Sequence, residues 1–131
     1  MATIYKEVTV DVAPDRVWAA VRDVGAYHQR LFPGVLTATR LEPGARVVTF
    51  DDGREVREPI VAVDDAHRRV AWTVTGGPLA FHHASMQVVG DGAGPTRLVW
   101  ITDVLPDEAA PMIAAIVERG AAVLVPTLER G

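Results

Sequence analysis

The chain has no cysteine among its 131 residues, which excludes disulfide staples, thiolate zinc sites and cysteine nucleophiles. That absence does not choose a compartment, because cysteine-free chains work in either redox environment. MATIYKEVTV has no basic segment followed by a long apolar stretch, so no signal peptide is expected and the expected location is cytoplasmic. No apolar run approaches the ~18 residues of a membrane span. Basic clusters are also lacking. The formal net charge is −4 and the nearest thing to a basic patch is Arg68 with Arg69 in a turn, so no nucleic-acid partner is expected, phosphate affinity resting on concentrated Lys and Arg. There is no Gly-x-Ser-x-Gly, no phosphate-binding glycine loop, no His-x-His and no helix-borne histidine pair; Gly25, Gly34 and Gly44 mark turns instead. Neither a metal nor another cofactor is expected.

What is present is an ordinary globular composition, 49% hydrophobic and 23% charged, read as one domain over residues 1–131. A chain of this size buries roughly two-thirds of its unfolded surface and needs no staples to enclose a core. Residues 3 to 12 alternate Ile4, Lys6, Val8 and Val10 against Tyr5, Glu7, Thr9 and Asp11, the period of a strand. Val17, Trp18, Ala20 and Val21 then recur at helical spacing behind Pro14, which suits a first turn, and predict a short helix over about 14 to 22. Gly25 breaks it, and AYHQRL offers a second short helix that Pro33-Gly34 stops. Turn clusters then separate six strand candidates: Val35 to Leu41, Arg46 to Phe50, Arg54 to Val63, Arg69 to Thr75, Phe81 to Val89 and Thr96 to Leu105. The connections are short enough for antiparallel hairpins. In PMIAAIVERGAAVLV, Ile113, Ile116, Val117, Gly120, Ala121 and Leu124 make an apolar helical face that starts near Ala110 or Pro111, and Pro126 is expected to kink or end it.

The predicted fold is α+β: a seven-stranded curved antiparallel sheet around one long C-terminal helix, with two short helices between the first two strands. Small residues on that helix, Ala114, Ala115, Gly120, Ala121 and Ala122, leave room against the sheet, and a largely apolar cavity with a few directed polar groups is the usual form of a small-molecule site. The alternative is that strand side chains fill the space.

The order of elements, with Pro14, Val17 and Trp18 after the first strand and Pro33-Gly34 closing the second short helix, resembles the START-related helix-grip (SRPBCC) superfamily, in particular its polyketide cyclase/dehydrase and lipid-transport-like proteins. The resemblance covers essentially the whole chain. EPIVAVDDAHRRVAWTVTGG, Glu58 to Gly77, is also similar to a stretch of the plant abscisic acid receptors, where the corresponding glutamate and a following aromatic line the hormone cavity; these positions carry over onto Glu58 and Trp72, and the Gly-Gly onto Gly76 and Gly77. The receptors' gate loop is replaced here by the tight Asp51-Asp52-Gly53, so hormone sensing is not implied. The resemblance implies a helix-grip fold with a cavity for a small hydrophobic ligand, aromatic, polyketide-like or lipid, and does not select an activity.

Strand alternation sorts the candidate residues. Val56, Glu58, Ile60 and Ala62 form an apolar row interrupted by one carboxylate, so Glu58 is expected to face the cavity with a raised pKa, as acid-base or binding group, or else to sit in a structural ion pair with Arg40, Arg46 or a histidine. Of the adjacent histidines, His82 shares the row of Ala84, Met86 and Val88, and His83 that of Ser85 and Gln87. The two imidazoles therefore cannot share one metal ion without a bulge. His82 enters the cavity or is satisfied by backbone or by Glu58. In TRLVWITDVLP both faces are apolar; the receptor resemblance favours Val99, Ile101 and Asp103 inward, with Asp103 at the cavity mouth and Trp100 on the convex face. Expected walls are Trp72, Met112, Ile113, Ile116 and Val117, with Tyr27, His28 and Phe32 from the short-helix segment closing the cavity. Three functions follow: ligand binding, preferred; a cyclase or aromatase in which Glu58 and His82 move protons; and, last, protein interaction as in the chaperone-activator branch, through an exposed Trp100. The sequence indicates no oligomeric state.

Overall fold

A computed structural model describes residues 1–131. The alternating stretches form β1 (Ala2–Val10), β2 (Leu36–Glu42), β3 (Ala45–Phe50), β4 (Glu55–Asp64), β5 (Arg69–Thr73), β6 (Phe81–Val89) and β7 (Thr96–Leu105). The helices are α1 (Pro14–Val21), α2 (Tyr27–Arg30) and α3 (Ala110–Arg130), the last entered through a 3₁₀ turn, Asp107–Ala109. One seven-stranded sheet runs β1-β7-β6-β5-β4-β3-β2, every neighbouring pair antiparallel. Strands β2 to β7 are a meander, and β1 closes onto β7, so α1 and α2 carry the chain from one sheet edge to the other. The expected α+β architecture is present in full.

The concave face and α3 bury one another. Val70, Met86, Val88 and Leu98 from the sheet meet Leu124 and Leu128 from α3, and Val17 and Val21 from α1, in the main core; Val104, Ile113 and Val117 make a smaller cluster at the other end. Gly120 allows the helix to lie close, because a Cβ there would stand 3.0 Å from the Trp100 ring and 3.2 Å from Phe32. The stretch Asp107–Arg130 has the length and mean hydropathy, 1.5, of a membrane span, yet Ile113, Val117, Gly120, Ala121, Leu124 and Leu128 are its buried stripe, so α3 is the core helix of the fold and not a span. At the sheet's far side Trp18 Nε1 donates to Asp65 Oδ1 at 3.0 Å and Arg22 Nε donates to the same oxygen at 2.9 Å, tying α1 to the β4–β5 turn.

Three expectations are corrected in whole or in part. Of the two outcomes expected at Pro126, a kink or an end, the end does not occur: the helix continues to Arg130. Leu128 lies one turn beyond the proline and is buried in the main core, and that apolar contact outweighs the backbone bond the ring removes. In β7 the orientation is reversed. Register pairs Met86 with Trp100 and Ala84 with Thr102 on the inner face, and Ser85 with Ile101 and His83 with Asp103 on the outer. Ile101 and Asp103 therefore point away from the core, Asp103 accepting the Thr3 hydroxyl at 2.6 Å, while Trp100 points in. Because β6 has one clearly apolar row, its pairing decides a neighbour whose own pattern is ambiguous. Third, β5 ends at Thr73, and Thr75 makes only an isolated bridge to Arg57.

Two substitutions in α3 separate packing from propensity. Leu124→Ala, at a fully buried site, is expected to cost about 2–5 kcal/mol. Pro126→Ala, at an exposed site inside the same helix, is expected to stabilise by about 1 kcal/mol or more, the midpoint of urea unfolding moving up for one and down for the other.

Candidate functional site

Short side chains at the centre of the concave face create a space. Trp72, Ala84 and Thr102 lie in one cross-strand row, and two of the three are too small to reach α3, which itself offers Gly120 there. The result is a cavity of about 380 Å³ between sheet and helix. Its walls are chiefly Phe32, Val48, Trp72, Trp100, Ile113, Ile116 and Val117. The exposed residues Arg54, Glu55, Arg57, Gly76, Gly77 and Met112 form its rim.

Of the site residues expected from the sequence, Tyr27, Phe32, Val56, Glu58, Trp72, His82, Ala84, Met112, Ile113, Ile116 and Val117 line this cavity. Three do not. Ile101 and Asp103 are on the outer face, and Ile60, next to the bulge that displaces Val61, packs against the main core instead. His28 turns to the Thr39 hydroxyl, 3.1 Å from its Nδ1. Residues the sequence reading did not place in the site are Trp100, Thr102, Gly120 and Arg46, the last named only as one of several partners for Glu58. One signal was available for Arg46: it is the single charge in the apolar run ARVVTF, as Glu58 is in its own inward row.

Arg46 and Glu58 are cross-strand neighbours, and Arg46 Nε donates to Glu58 Oε1 at 2.8 Å. The guanidinium is 1% exposed, with Nη1 donating to the Val24 carbonyl at 3.2 Å. Its Cζ stands 4.1 Å from the Tyr27 ring centroid and 4.8 Å from that of Trp72, so the charge is held against two π faces. Burial pushes the Glu58 carboxyl above the usual carboxylate range, and Arg46 opposes that rise. Tyr27 is pushed up to about 12, chiefly by burial, and donates its hydroxyl to the Val21 carbonyl at 2.6 Å.

His82 is 8% exposed and its Nδ1 has no hydrogen-bond partner, a condition shared by Trp100 Nε1. Burial, more than the neighbouring His83, lowers its pKa to about 4, so the imidazole is neutral at physiological pH. The pairings Arg57 with Thr75 and Thr73 with His83 place Val74 between Glu58 and His82. The two side chains therefore project from one face two strand spacings apart, roughly 10 Å between backbones. A carboxylate and an uncharged imidazole at that separation can address two polar atoms of one guest, or move protons at them.

The family model described as polyketide cyclase / dehydrase and lipid transport matches residues 1–129. The chain belongs to this family. Members bind hydrophobic ligands or act as cyclases. Among solved structures, a protein from Thermobifida fusca is 28% identical with a TM-score of 0.77, covering 98% of this chain and 91% of that one. Norcoclaurine synthase from Thalictrum flavum is 18% identical with a TM-score of 0.73, covering 98% and 84%. The di-domain aromatase/cyclase BexL is 17% identical with a TM-score of 0.76, covering 99% of this chain and 46% of that one. At the identities of these last two, the likeness is one of fold. No curated protein matches the chain.

Removing Arg46 as Arg46→Ala strands the Glu58 carboxylate and is expected to cost about 3–5 kcal/mol in denaturant unfolding, whereas Arg46→Met combined with Glu58→Leu costs less than that single change. His82 imposes a pH dependence of definite sign. Its folded pKa lies near 4 against an ordinary 6.5, so the unfolded chain takes up the proton first and the stability His82 contributes above pH 6.5 is lost as pH falls toward 4. The difference in unfolding free energy between His82→Asn and the parent, measured across that window, is expected to shift in favour of the variant as pH falls; a constant difference would contradict it.

Proposed function

We propose that the protein binds a small hydrophobic ligand, aromatic, polyketide-like or lipid, in the cavity between the sheet and α3. The observation that carries this reading is a space of about 380 Å³ with mostly apolar walls and few polar groups, one of which, His82, lacks a partner for its Nδ1. A purely structural core would be filled at the Ala84 and Thr102 row, and a buried polar atom without a partner costs about 1–3 kcal/mol, which a bound guest can offset. Trp72, Val56, Ala84, Ile113, Ile116 and Val117 are the proposed apolar contacts, with Tyr27 behind Arg46 and Met112 at the rim. Glu58 and His82 orient the guest. The cytoplasmic location expected from the sequence is part of the same proposal.

A second reading, acid-base catalysis of the cyclase kind, is favoured by one specific feature: a carboxyl whose pKa is raised faces the same space as a neutral imidazole. In it Glu58 or His82 takes and returns protons during ring closure or dehydration of a bound polycarbonyl compound. The norcoclaurine synthase and BexL structures share the fold on which such chemistry is done. The protein-interaction reading has lost its anchor, since Trp100 is in the cavity wall.

Native mass spectrometry and thermal shift against aromatic, polyketide-like and lipid compounds are expected to find a binder, and Ala84→Phe, which fills the cavity, to weaken it at least about tenfold with the fold kept. Retention of full affinity in Ala84→Phe would remove the cavity as the site. If the binder is turned over, Glu58→Gln and His82→Ala are each expected to lower the rate by about 10²- to 10⁴-fold; unchanged turnover in both would end the acid-base reading.

A further inference from the structure

The cavity restricts its guest by size and by charge, and both restrictions are visible in the side chains. About 380 Å³ is near the lower end of the roughly 300–1,000 Å³ found for small-molecule sites. The side walls close it with rings: Trp72 on one strand, Trp100 on another, and Phe32 tilted against Trp100 at 5.5 Å between centroids. Such a space suits one or two fused flat rings, and a long acyl chain would have to leave through the rim.

Charge is the sharper restriction. Two ionisable side chains of opposite sign stand inside, and they are not equally available. Arg46 is enclosed, covered by Tyr27 and Trp72, with Nε given to Glu58 and Nη1 to Val24. Glu58 keeps 12% of its side chain exposed and receives Arg46 through Oε1, which leaves Oε2 to a guest. The pair already sums to zero. An anionic guest would meet a carboxylate with no free cation beside it, and an ammonium would bring an unmatched charge between apolar walls. At the rim Arg57 Nε is on Glu42 at 3.1 Å and Arg40 Nη1 is on Glu55 at 3.4 Å, while the exposed Arg54, its guanidinium over the Phe50 ring, leaves one positive charge at the mouth, in contact with water and outside the apolar walls. An uncharged hydroxyl, in contrast, gives Glu58 a charge-assisted hydrogen bond without adding charge. His82, nine-tenths buried and making no side-chain hydrogen bond, stands across Val74 for a second polar atom.

We infer that the cavity selects an uncharged one- or two-ring aromatic compound with a polar group at each end, a hydroxyl donated to Glu58 Oε2 and a second oxygen at His82. This rests on the proposal that the cavity binds a ligand, and narrows it to exclude fatty acids, aromatic acids and amines.

The test compares four probes on the full chain at neutral pH by calorimetry: a naphthalenediol with one hydroxyl on each ring, naphthalene carboxylate, naphthylmethylammonium and palmitate. The diol is expected to bind about tenfold or more tightly than each of the other three. His82→Phe, an apolar replacement in an apolar row, is expected to weaken the diol several-fold relative to unsubstituted naphthalene measured on the same variant, with thermal melting confirming that the variant is folded. Equal or tighter binding of the carboxylate, the ammonium or palmitate overturns the inference and leaves the cavity as a ligand site. Failure of all four probes and of unsubstituted naphthalene overturns both.

Discussion

A guanidinium enclosed by two aromatic rings and one carboxylate is the contact on which the rest of the site depends. Arg46 belongs to β3, Glu58 to β4, Trp72 to β5 and Tyr27 to α2, and the carbonyl of Val24 joins them from the α1–α2 connection. Five parts of the fold thus meet at one charge. Removing a guanidinium from water is costly, and the cost is offset only when geometry and hydrogen bonds are both good. Here Glu58 provides the counter-charge and the rings provide π faces, so the pair is tolerable in the interior but intolerant of losing either member. The same enclosure sets the chemistry: because the cation is turned into the wall, what the cavity presents is the carboxylate.

The cavity itself is a packing result with opposite effects on stability and function. Ala84 and Thr102 stand where larger side chains would complete the core, and the space they leave forgoes dispersion contacts. Around that space Trp72, Trp100 and Phe32 retain a firm boundary, and Gly120 lets the helix pass where a Cβ would stand 3.0 Å from the Trp100 ring. Two buried nitrogens without protein partners, on His82 and Trp100, carry the desolvation cost of an unmade hydrogen bond, which a polar guest atom could offset.

Membership of a family that includes both carriers and cyclases agrees with this arrangement but does not choose between them. A neutral imidazole and a carboxyl of raised pKa serve equally to orient a hydroxyl and to exchange its proton. What separates the two is whether the guest reacts, a property of its own carbon skeleton as much as of Glu58 and His82.

Much of this was legible along the chain. Period-two alternation located the first strand, turn clusters delimited the other six, proline and glycine located the helix starts and the turns, and the inward rows of β4 and β6 assigned Glu58 and His82 to one face, because side-chain direction in a strand is a local property of the backbone. Tertiary structure alone decided the rest. Which of two apolar faces of β7 turned inward depended on its register with β6, so Trp100 and Thr102 entered the cavity in place of Ile101 and Asp103. Whether Pro126 stopped α3 depended on what Leu128 touched one turn later. Which cation met Glu58 depended on β3 and β4 pairing Arg46 directly opposite it. In each case local preference left two outcomes close in energy, and contacts between residues distant in sequence selected one.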